Sequence, residues 1–262
     1  MKVQGAGKAQ ARARAVLRPA SRLLWDIEIN GLERLPQNGP AILCPNHISF
    51  LDSAFLMLTL PRNISFVGKA EYMDSWKTKF LFPLMGMIPI DRSGGEKSQA
   101  ALDTALNVLR RGEIFGIFPE GTRSRDGCLY KGRTGAARLA TTVDCPIFPV
   151  GIVGTDKIQP PDAKAPKVLK ACSITIGRPV DPKRYTDATE PHRAWRAMID
   201  EVMFEIREMT GQVYKNVYAG KSADYESVTS SRVGHVNETA EEASVRVSMN
   251  AGSRTSHVGV DA

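Results

Sequence analysis

The sequence contains few cysteines, and none of them is arranged to bind a metal. Its 262 residues include four cysteines, which are widely spaced, form no CxxC pair and have no histidine at metal-ligand distance. This pattern excludes a disulfide framework and a zinc site. We therefore expect a reducing, cytosolic setting and no bound metal.

Long apolar runs are also missing. A transmembrane helix needs about 20 consecutive apolar residues. The longest runs here are residues 54–60 and 80–90, and the second contains Pro83 and Pro89. No apolar signal-peptide core follows the N-terminal residues. The sequence predicts neither a spanning helix nor export.

Several motifs that carry well-known chemistry are absent as well. There is no GxGxxG, Walker loop, GxSxG elbow or HExxH, so nucleotide cofactors, serine-hydrolase chemistry and zinc hydrolysis lack support. No helix-turn-helix, zinc or RNA-binding signature accompanies the basic residues. We therefore expect no nucleic-acid partner.

Positive charge is what the chain has in excess. It carries 35 Lys and Arg against 28 Asp and Glu, a formal net charge of +7, with 42% hydrophobic residues. Residues 221–262 lose all periodicity and become rich in Ser, Thr, Ala, Gly and Glu, which predicts a disordered tail. This tail holds four basic and six acidic residues, a net charge of −2, so residues 1–220 carry +9.

The N-terminal segment, residues 1–30, concentrates six of the basic residues before Trp25 and has no acid there. On a helix interrupted by Pro19, four apolar residues form one stripe at spacings of three, four and three: Leu17, Ala20, Leu24 and Ile27. A basic amphipathic helix suits an anionic membrane surface. The alternative is a helix that packs on the domain and leaves its arginines in solvent.

Between residues 41 and 177, short apolar runs alternate with helix-like segments, which is typical of an α/β domain. Strands are predicted over 41–44, 64–67, 87–90, 114–118, 147–152 and 173–176. Helices are predicted over 52–60, 75–85, 96–111, 135–143 and 190–210. Residues 155–169, which contain three prolines, are predicted to form a surface loop. The domain is expected to cover residues 31–220.

The first candidate motif, residues 44–52, follows a predicted strand. Histidine is the usual general base near neutral pH, and a carboxylate on its second ring nitrogen orients it. His47 and Asp52 are five residues apart, so they face each other only if His47 lies in a turn and Asp52 begins the next helix. Asn46, Ser49 and Asp52 all favour helix starts. The alternative is an ordinary turn capped by Asp52.

The second candidate motif, residues 118–124, also follows an apolar strand. Gly121 lets backbone amides approach an anion, Thr122 and Ser124 offer hydroxyls, and Arg123 offers a planar donor pair for phosphate oxygens. Glu120 could orient that arginine or a substrate hydroxyl. The alternative is a solvated polar turn.

Two more strand ends carry cations, Lys69 and Arg92. Ligands of open α/β sheets gather at the carboxyl ends of strands. We therefore expect one cleft to contain five charged or titratable groups: His47, Lys69, Arg92, Glu120 and Arg123. Such a cleft suits the deprotonation of a hydroxyl on an anionic substrate. Residues 146–152 carry no reactive group and are predicted to form a buried strand.

The motifs together resemble those of the glycerolipid acyltransferases, in particular the bacterial 1-acyl-sn-glycerol-3-phosphate acyltransferases. Residues 46–52 match NHxSxxD, and residues 118–124 match FPEGTRS. Residues 86–92 resemble the intervening motif that ends in arginine, and residues 146–152 the proline-bearing strand motif. All four occur in the family's order over residues 40–153.

The resemblance implies a role for each candidate residue. His47 is the general base on the acceptor hydroxyl, and Asp52 is its orienting carboxylate. The acceptor phosphate is bound by Lys69, Arg92, Glu120, Gly121, Thr122 and Arg123. Backbone amides stabilise the oxyanion. Cys44 occupies a position that the family does not reserve for a nucleophile, so it is assigned to packing.

The resemblance also implies a single domain with a mixed, mainly parallel sheet flanked by helices. It implies acyl transfer from acyl-CoA or acyl carrier protein to the sn-2 hydroxyl of lysophosphatidic acid, which gives phosphatidic acid. No metal or cofactor is expected, and we expect a monomer attached peripherally to anionic lipid at the cytoplasmic face of the membrane. Alternative acceptors are glycerol 3-phosphate and other lyso-lipids, and a different alternative is a non-catalytic membrane-binding module.

Overall fold

The protein is described here from a computed structural model, which covers residues 7–69, 86–90, 95–161, 163, 165–185 and 190–220. The strands within these residues are β1 (Trp25–Asn30), β2 (Ala41–Pro45), β3 (Ile64–Lys69), β4 (Met87–Ile90), β5 (Ile114–Gly116), β6 (Leu129–Tyr130), β7 (Ile147–Val153), β8 (Lys170–Ile176) and β9 (Tyr214–Lys215). The helices are α1 (Gly7–Leu24), α2 (Asp52–Thr59), α3 (Gly95–Arg110), α4 (Gly135–Val143), α5 (Thr155–Ile158) and α6 (Pro191–Thr210).

The described strands form a mixed, mainly parallel sheet, as predicted. Its seven strands lie in the order β1-β8-β7-β2-β5-β3-β4. Strands β7, β2, β5, β3 and β4 run parallel to one another, β8 runs antiparallel to β7, and β1 runs parallel to β8. A second sheet pairs the two-residue strands β6 and β9. The carboxyl ends of β2, β5 and β7 therefore lie at one edge, which we call the active-site edge.

Burial along the strands follows their place in the sheet. All five residues of β2 are buried, and so are the first six of β7, because both faces of a central parallel strand are covered. The edge strand β1 alternates between half-buried and exposed residues. The expectation of a buried strand over residues 146–152 is confirmed.

The two faces of the sheet carry separate apolar cores. One core contains α2, with Phe55 and Leu56 packed on the sheet residues Ile64 and Phe66. The other contains α3, α4 and α6, whose apolar faces cover residues such as Ile42. Helix α6 ends at Gly211, which has φ +66° and closes the last turn with an N–H bond to the Arg207 carbonyl. The active-site edge is thus presented by a rigid three-layer body.

The structure corrects the interpretation of two segments. The predicted stripe continued the N-terminal helix to Ile27, but α1 ends at Leu24 and Ile27 lies on β1. The alternation of residues 25–30 is the period of a strand with one face packed on the core, and this burial decides the outcome. Residues 155–169 were expected to form only a loop, whereas Thr155–Ile158 form α5.

Some predictions concern residues outside those that the structure describes. They are the helix over 75–85, the position of Arg92 and the tail over 221–262. The compact unit that holds the described elements ends at Ala219. Within the described residues, no helix is both long and apolar enough to cross a bilayer.

Candidate active site

Two turns meet at the active-site edge because the strands before them are neighbours. Strand β2 pairs directly with β5, with Ala41 opposite Ile114. Residues 46–52 follow β2 and are called the histidine turn, and residues 118–124 follow β5 and are called the glutamate turn. The Ser124 N–H donates to the His47 carbonyl over 2.8 Å. The two predicted motifs are therefore in direct contact.

His47 and Asp52 form the pair that the spacing predicted. His47 lies in the turn, Asp52 is the first residue of α2, and Nδ1 of His47 is 2.8 Å from Oδ2 of Asp52. The same oxygen accepts the backbone N–H groups of Ile48 and Ser49, each over 2.9 Å. Its partner Oδ1 accepts the Thr155 hydroxyl over 2.6 Å.

These contacts decide the state of the imidazole. The Asp52 side chain is fully buried, whereas that of His47 is 22% exposed. Because the carboxylate accepts at Nδ1, the proton of a neutral His47 ring lies on that nitrogen. Nε2 is then left as the proton acceptor, and the arrangement is that of a general base held by a carboxylate.

Aromatic stacking holds the plane of the imidazole ring. The His47 and Phe118 ring centroids are 3.9 Å apart with an interplanar angle of 20°. Phe118 in turn stacks on Phe66, at 5.6 Å and 17°. Phe66 reaches this position because Gly116 has no side chain, since a Cβ there would lie 2.1 Å from the Phe66 ring. The last residue of β5 is therefore small for a reason of packing.

Glu120, a residue of the glutamate turn, is buried and only 1% exposed. One carboxylate oxygen accepts the His47 backbone N–H over 3.0 Å, and the other accepts the Tyr130 N–H over 2.9 Å. Burial raises the pKa of Glu120 to about 7, although the two backbone hydrogen bonds act in the opposite direction. In this geometry Glu120 holds the site together and has no oxygen left open to solvent.

The tip of the glutamate turn is exposed, whereas Ser124 at its end is buried. Gly121 has φ +79°, a backbone conformation that favours glycine, and Gly121 and Thr122 are both exposed. The Nε atom of Arg123 is buried and has no hydrogen-bond partner among the described residues. The exposed backbone and hydroxyl donors of Gly121 and Thr122, beside the positive charge of Arg123, form an arrangement that can receive an anionic group.

Asn46 holds the histidine turn to β7. It is fully buried, donates from Nδ2 to the Ile152 carbonyl over 2.9 Å and accepts the Ile152 N–H over 2.7 Å. It also donates to Oε1 of Gln212 over 2.8 Å, and Gln212 donates from Nε2 to the Gly127 carbonyl over 2.7 Å. Gln212 thus bridges the histidine turn to the segment that follows the glutamate turn.

A third carboxylate, that of Asp126, fixes the segment that follows the glutamate turn. Asp126 accepts hydrogen bonds from the Ser124 hydroxyl, the Cys128 N–H, the Tyr130 hydroxyl and the Lys215 ammonium group. Burial alone would raise the pKa of Asp126, but these hydrogen bonds outweigh it and hold the pKa well below its ordinary value. The carboxylate therefore stays ionised and anchors the segment to β9.

The sequence reasoning missed several of these residues, among them Thr155, Gln212 and Lys215. Thr155 comes directly after β7, so the rule that ligands gather at the carboxyl ends of strands could have included it. Gln212 lies 166 residues from Asn46, and Lys215 lies 89 residues from Asp126. No local pattern signals such pairs, because they depend on the path of the chain after α6.

The remaining predicted residues have a mixed outcome. Lys69 ends β3 at the active-site edge, opposite Ile90 of β4, but the structure does not describe its side chain. Arg92 lies outside the described residues. Their roles stay predictions. Cys44 is fully buried, and burial raises the pKa of its thiol well above the ordinary value, which agrees with a packing role.

The donor set of the cleft is unlike that of a metal centre. Among the residues that the structure describes, no group of three His, Cys, Asp or Glu side chains could hold a metal ion. The fold and the site define an α/β domain with a carboxylate-held histidine beside an anion-receiving turn. The family model described as Acyltransferase matches residues 26–153 of the chain.

Curated relatives carry a more specific name. The chain is 33% identical over 137 residues to a chloroplast 1-acyl-sn-glycerol-3-phosphate acyltransferase of Arabidopsis thaliana, a match that covers 52% of this chain and 38% of that protein. It is 28% identical over 130 residues to a 1-acyl-sn-glycerol-3-phosphate acyltransferase of Borreliella burgdorferi, covering 50% and 52%. The chain thus spans about half or less of these relatives. The resemblance seen in the motifs is confirmed.

A solved structure shares the fold. The 1-acyl-sn-glycerophosphate acyltransferase PlsC of Thermotoga maritima superposes with a TM-score of 0.59 and 22% sequence identity. The match covers 76% of this chain and 82% of that one. The α/β architecture is therefore shared well beyond the segment that the family model matches.

Proposed function

We propose that the protein transfers an acyl group from a thioester to the free sn-2 hydroxyl of 1-acylglycerol 3-phosphate, which gives phosphatidic acid. The observation that carries the proposal is the geometry of His47, whose Nδ1 is held by the buried Asp52 so that Nε2 is the proton acceptor. The names of the relatives supply the acceptor and the product.

In the proposed reaction, Nε2 of His47 takes the proton of the acceptor hydroxyl as its oxygen attacks the thioester carbonyl carbon. A carbon–oxygen bond forms, and the carbonyl oxygen carries the negative charge until the carbon–sulfur bond breaks. The leaving thiolate takes the proton back from the imidazolium. The products are an ester and a free thiol, and no acyl group is attached to the enzyme.

The glutamate turn is proposed to bind the phosphate of the acceptor. Arg123 offers a guanidinium with an unpaired Nε atom, and the exposed Gly121 and Thr122 offer backbone and hydroxyl donors. Lys69 and Arg92 are proposed to assist from the ends of the neighbouring strands. Glu120 contributes to this site by tying the glutamate turn to the backbone N–H groups of His47 and Tyr130.

The donor is proposed to be acyl-CoA or acyl carrier protein, with no metal or cofactor. A thioester is already activated, so the reaction needs only a base, oxyanion stabilisation and orientation. Peripheral attachment at the cytoplasmic face of the membrane is proposed through the basic helix α1, which carries lysine and arginine but no acid. The protein is proposed to act as a monomer.

Acyl transfer by the purified protein tests the mechanism. With lysophosphatidic acid and either thioester donor, His47→Ala should lower turnover by about a thousandfold, as expected for loss of the general base. Binding to vesicles should stay unchanged, because His47 lies in the turn. The matched control is His192→Ala, an exposed histidine on α6, which should keep full turnover. Retained turnover in His47→Ala would contradict the mechanism and favour a non-catalytic membrane module.

A panel of acceptors tests the substrate. Lysophosphatidic acid, glycerol 3-phosphate and a lyso-lipid without phosphate are compared at equal concentration. We expect turnover with lysophosphatidic acid to exceed that with the phosphate-free lipid, because a guanidinium pairs most strongly with phosphate oxygens. Equal turnover with the two lipids would remove the phosphate role from Arg123. Faster turnover with glycerol 3-phosphate would assign the alternative acceptor.

A further inference from the structure

Helix α1 has the opposite burial from an ordinary surface helix. Its two buried residues are polar, Gln10 and Ser21. Its apolar residues are exposed, with Val16 at 73% and Leu23 at 81%. Leu17 and Leu24 are also exposed, at 41% each, and so is Ala20. The predicted apolar stripe exists up to Leu24, but it faces away from the protein.

The inner face of α1 is attached by hydrogen bonds. Gln10 donates from Nε2 to the Ile64 carbonyl over 2.8 Å and accepts the Ile64 N–H over 3.0 Å. Arg14 donates to the Arg62 carbonyl over 2.9 Å and to Oδ1 of Asn63 over 3.2 Å. Polar groups thus hold the helix in a definite orientation and leave its apolar side in solvent.

A second exposed apolar segment joins the end of α1. Val168 is 51% exposed and Leu169 is 81% exposed. The Leu169 N–H donates to the Leu24 carbonyl over 2.7 Å, and the Trp25 indole donates to the Lys167 carbonyl over 2.8 Å. Leu169 has φ +56°, a conformation that leucine rarely adopts. Leu169 therefore has both an unfavourable backbone conformation and a side chain that lies mostly in solvent.

The strand register places this joint at the active-site edge. Strand β8 runs antiparallel to β7, with Val153 at the end of β7 opposite Ser173. Strand β1 runs parallel to β8, with Trp25 opposite Lys170. The first residues of β1 and β8 therefore lie at the same edge as the carboxyl ends of β7 and β2, where the histidine turn begins.

Exposed basic residues lie in the same two segments as the exposed apolar groups. They are Lys8, Arg12, Arg22, Lys167 and Lys170, all exposed. No acid occurs between Gly7 and Trp25 or between residues 165 and 171, and the first acid beyond α1 is Asp26 on β1. An apolar strip with a cationic border is complementary to the acyl chains and headgroups of an anionic bilayer.

We infer that α1 and residues 167–170 form one surface, the lipid face, which seats on an anionic bilayer and holds the active-site edge against it. The lipid face extends the membrane contact beyond the N-terminal segment to a loop more than 140 residues later. The inference that the active-site edge faces lipid rests on the proposed function. The inference that the lipid face binds a bilayer does not rest on it.

The test uses the full chain with vesicles of phosphatidylcholine alone or with 30% phosphatidylglycerol, and the bound fraction is measured by sedimentation. Leu169→Asn removes the apolar group at a φ that asparagine tolerates, so it should leave the fold intact. Combined with Leu23→Ser, it should weaken binding to the anionic vesicles about a hundredfold, as expected for two leucines removed from lipid. Thermal melts check that the variant is folded.

The matched control is Phe204→Ser, which removes an apolar side chain that is 56% exposed on α6, on the other face of the sheet. It should bind vesicles as the wild type does. Unchanged binding of the double variant would overturn the proposal. So would a wild-type dimer in sedimentation velocity that the double variant dissociates, because the lipid face would then be an interface between two copies.

Acyl transfer separates this proposal from the proposed function. The double variant should lose turnover with an acceptor embedded in vesicles and keep it with the same acceptor dispersed in detergent. If the wild type transfers no acyl group in either medium, the proposed function fails while the vesicle comparison still decides the lipid face. Equal loss of turnover in both media would show damage to the active site and contradict a role in seating alone.

Discussion

Each of the two turns of the candidate site contains a buried carboxylate, but the two carboxylates have different kinds of hydrogen-bond partner. In the histidine turn, Asp52 contacts the reactive side chain of His47 as well as two backbone N–H groups. In the glutamate turn, the carboxylate of Glu120 contacts only backbone, the N–H groups of His47 and Tyr130. The chemistry of a carboxylate is therefore decided by the donors that the fold places around it.

The difference also separates reactivity from binding. Asp52 holds one imidazole in one orientation, which a proton-transfer group requires. Glu120 holds the backbone of the histidine turn and of β6, while Thr122 beside it is exposed. In the proposed function, one turn thus carries the base, and the other presents donors to the acceptor phosphate.

Asp52→Asn gives the largest expected effect, because it removes the carboxylate that contacts the reactive side chain of His47. The amide cannot hold the Nδ1 proton as a carboxylate does, so we expect kcat to fall by about 10³ to 10⁴ with little change in the KM of the acceptor. Steady-state kinetics measure both constants. Asp103→Asn, an exposed carboxylate on α3, is the control and should be silent. A loss of only a few-fold would show that Asp52 does not orient the base.

Glu120→Gln tests the carboxylate of the glutamate turn through the pH dependence of the free energy of unfolding. The pKa of Glu120 is raised from 4.5 to about 7 by burial, so folding favours its protonated form. The resulting stabilisation is fully present below about pH 4.5 and is lost as the pH rises through 7, a change of about 3 kcal/mol in the free energy of unfolding.

Denaturant unfolding of the wild type and Glu120→Gln at pH 4.5 and pH 8 measures this change. Glutamine does not titrate, so the difference between the two proteins isolates Glu120 from the other ionisable groups. The wild type should lose stability relative to the variant as the pH rises. A difference that stays constant with pH would show that Glu120 is not protonated by its burial.

Arg123→Ala tests whether the glutamate turn binds the acceptor. Loss of one charge-assisted contact should raise the KM of lysophosphatidic acid by roughly 10- to 100-fold and change kcat less. Arg123→Lys should recover only part of the affinity, because lysine lacks the planar donor pair. Arg138→Ala, an exposed arginine on α4, serves as the control. An effect confined to kcat would move Arg123 from binding to catalysis.

Gln212→Ala gives the smallest expected effect, because it removes a link between the histidine turn and the segment after the glutamate turn, and leaves both turns in place. It leaves one hydrogen bond of Asn46 and one of the Gly127 carbonyl unmade. We expect a loss of about 1 kcal/mol in the free energy of unfolding and a few-fold loss in kcat. Gln212→Glu should keep the contact with Asn46 and recover part of both. If kcat and stability are unchanged, the bridge is dispensable.

Much of the fold was predictable because central strands and amphipathic helices have strong periods. Strands β2, β3, β4, β7 and β8, together with the described helices α2, α3, α4 and α6, lie where the pattern predicts them. The prediction failed for residues 25–30, because Ile27 also fits the helical spacing of the preceding apolar residues, although residues 25–30 form a strand. It also failed for β6 and β9, because a two-residue strand has no period to detect.

The sequence by itself determined the local chemistry of this protein. The five-residue spacing of His47 and Asp52 and the compact turn from Glu120 to Arg123 place their groups within a few residues, so spacing and helix-start preference suffice to predict them. Only the tertiary structure decided which groups complete the site, since Thr155 and Gln212 reach it from distant parts of the chain. It also decided that the apolar stripe of α1 faces outward, because periodicity reports that a helix has two faces and not which of them the rest of the protein covers.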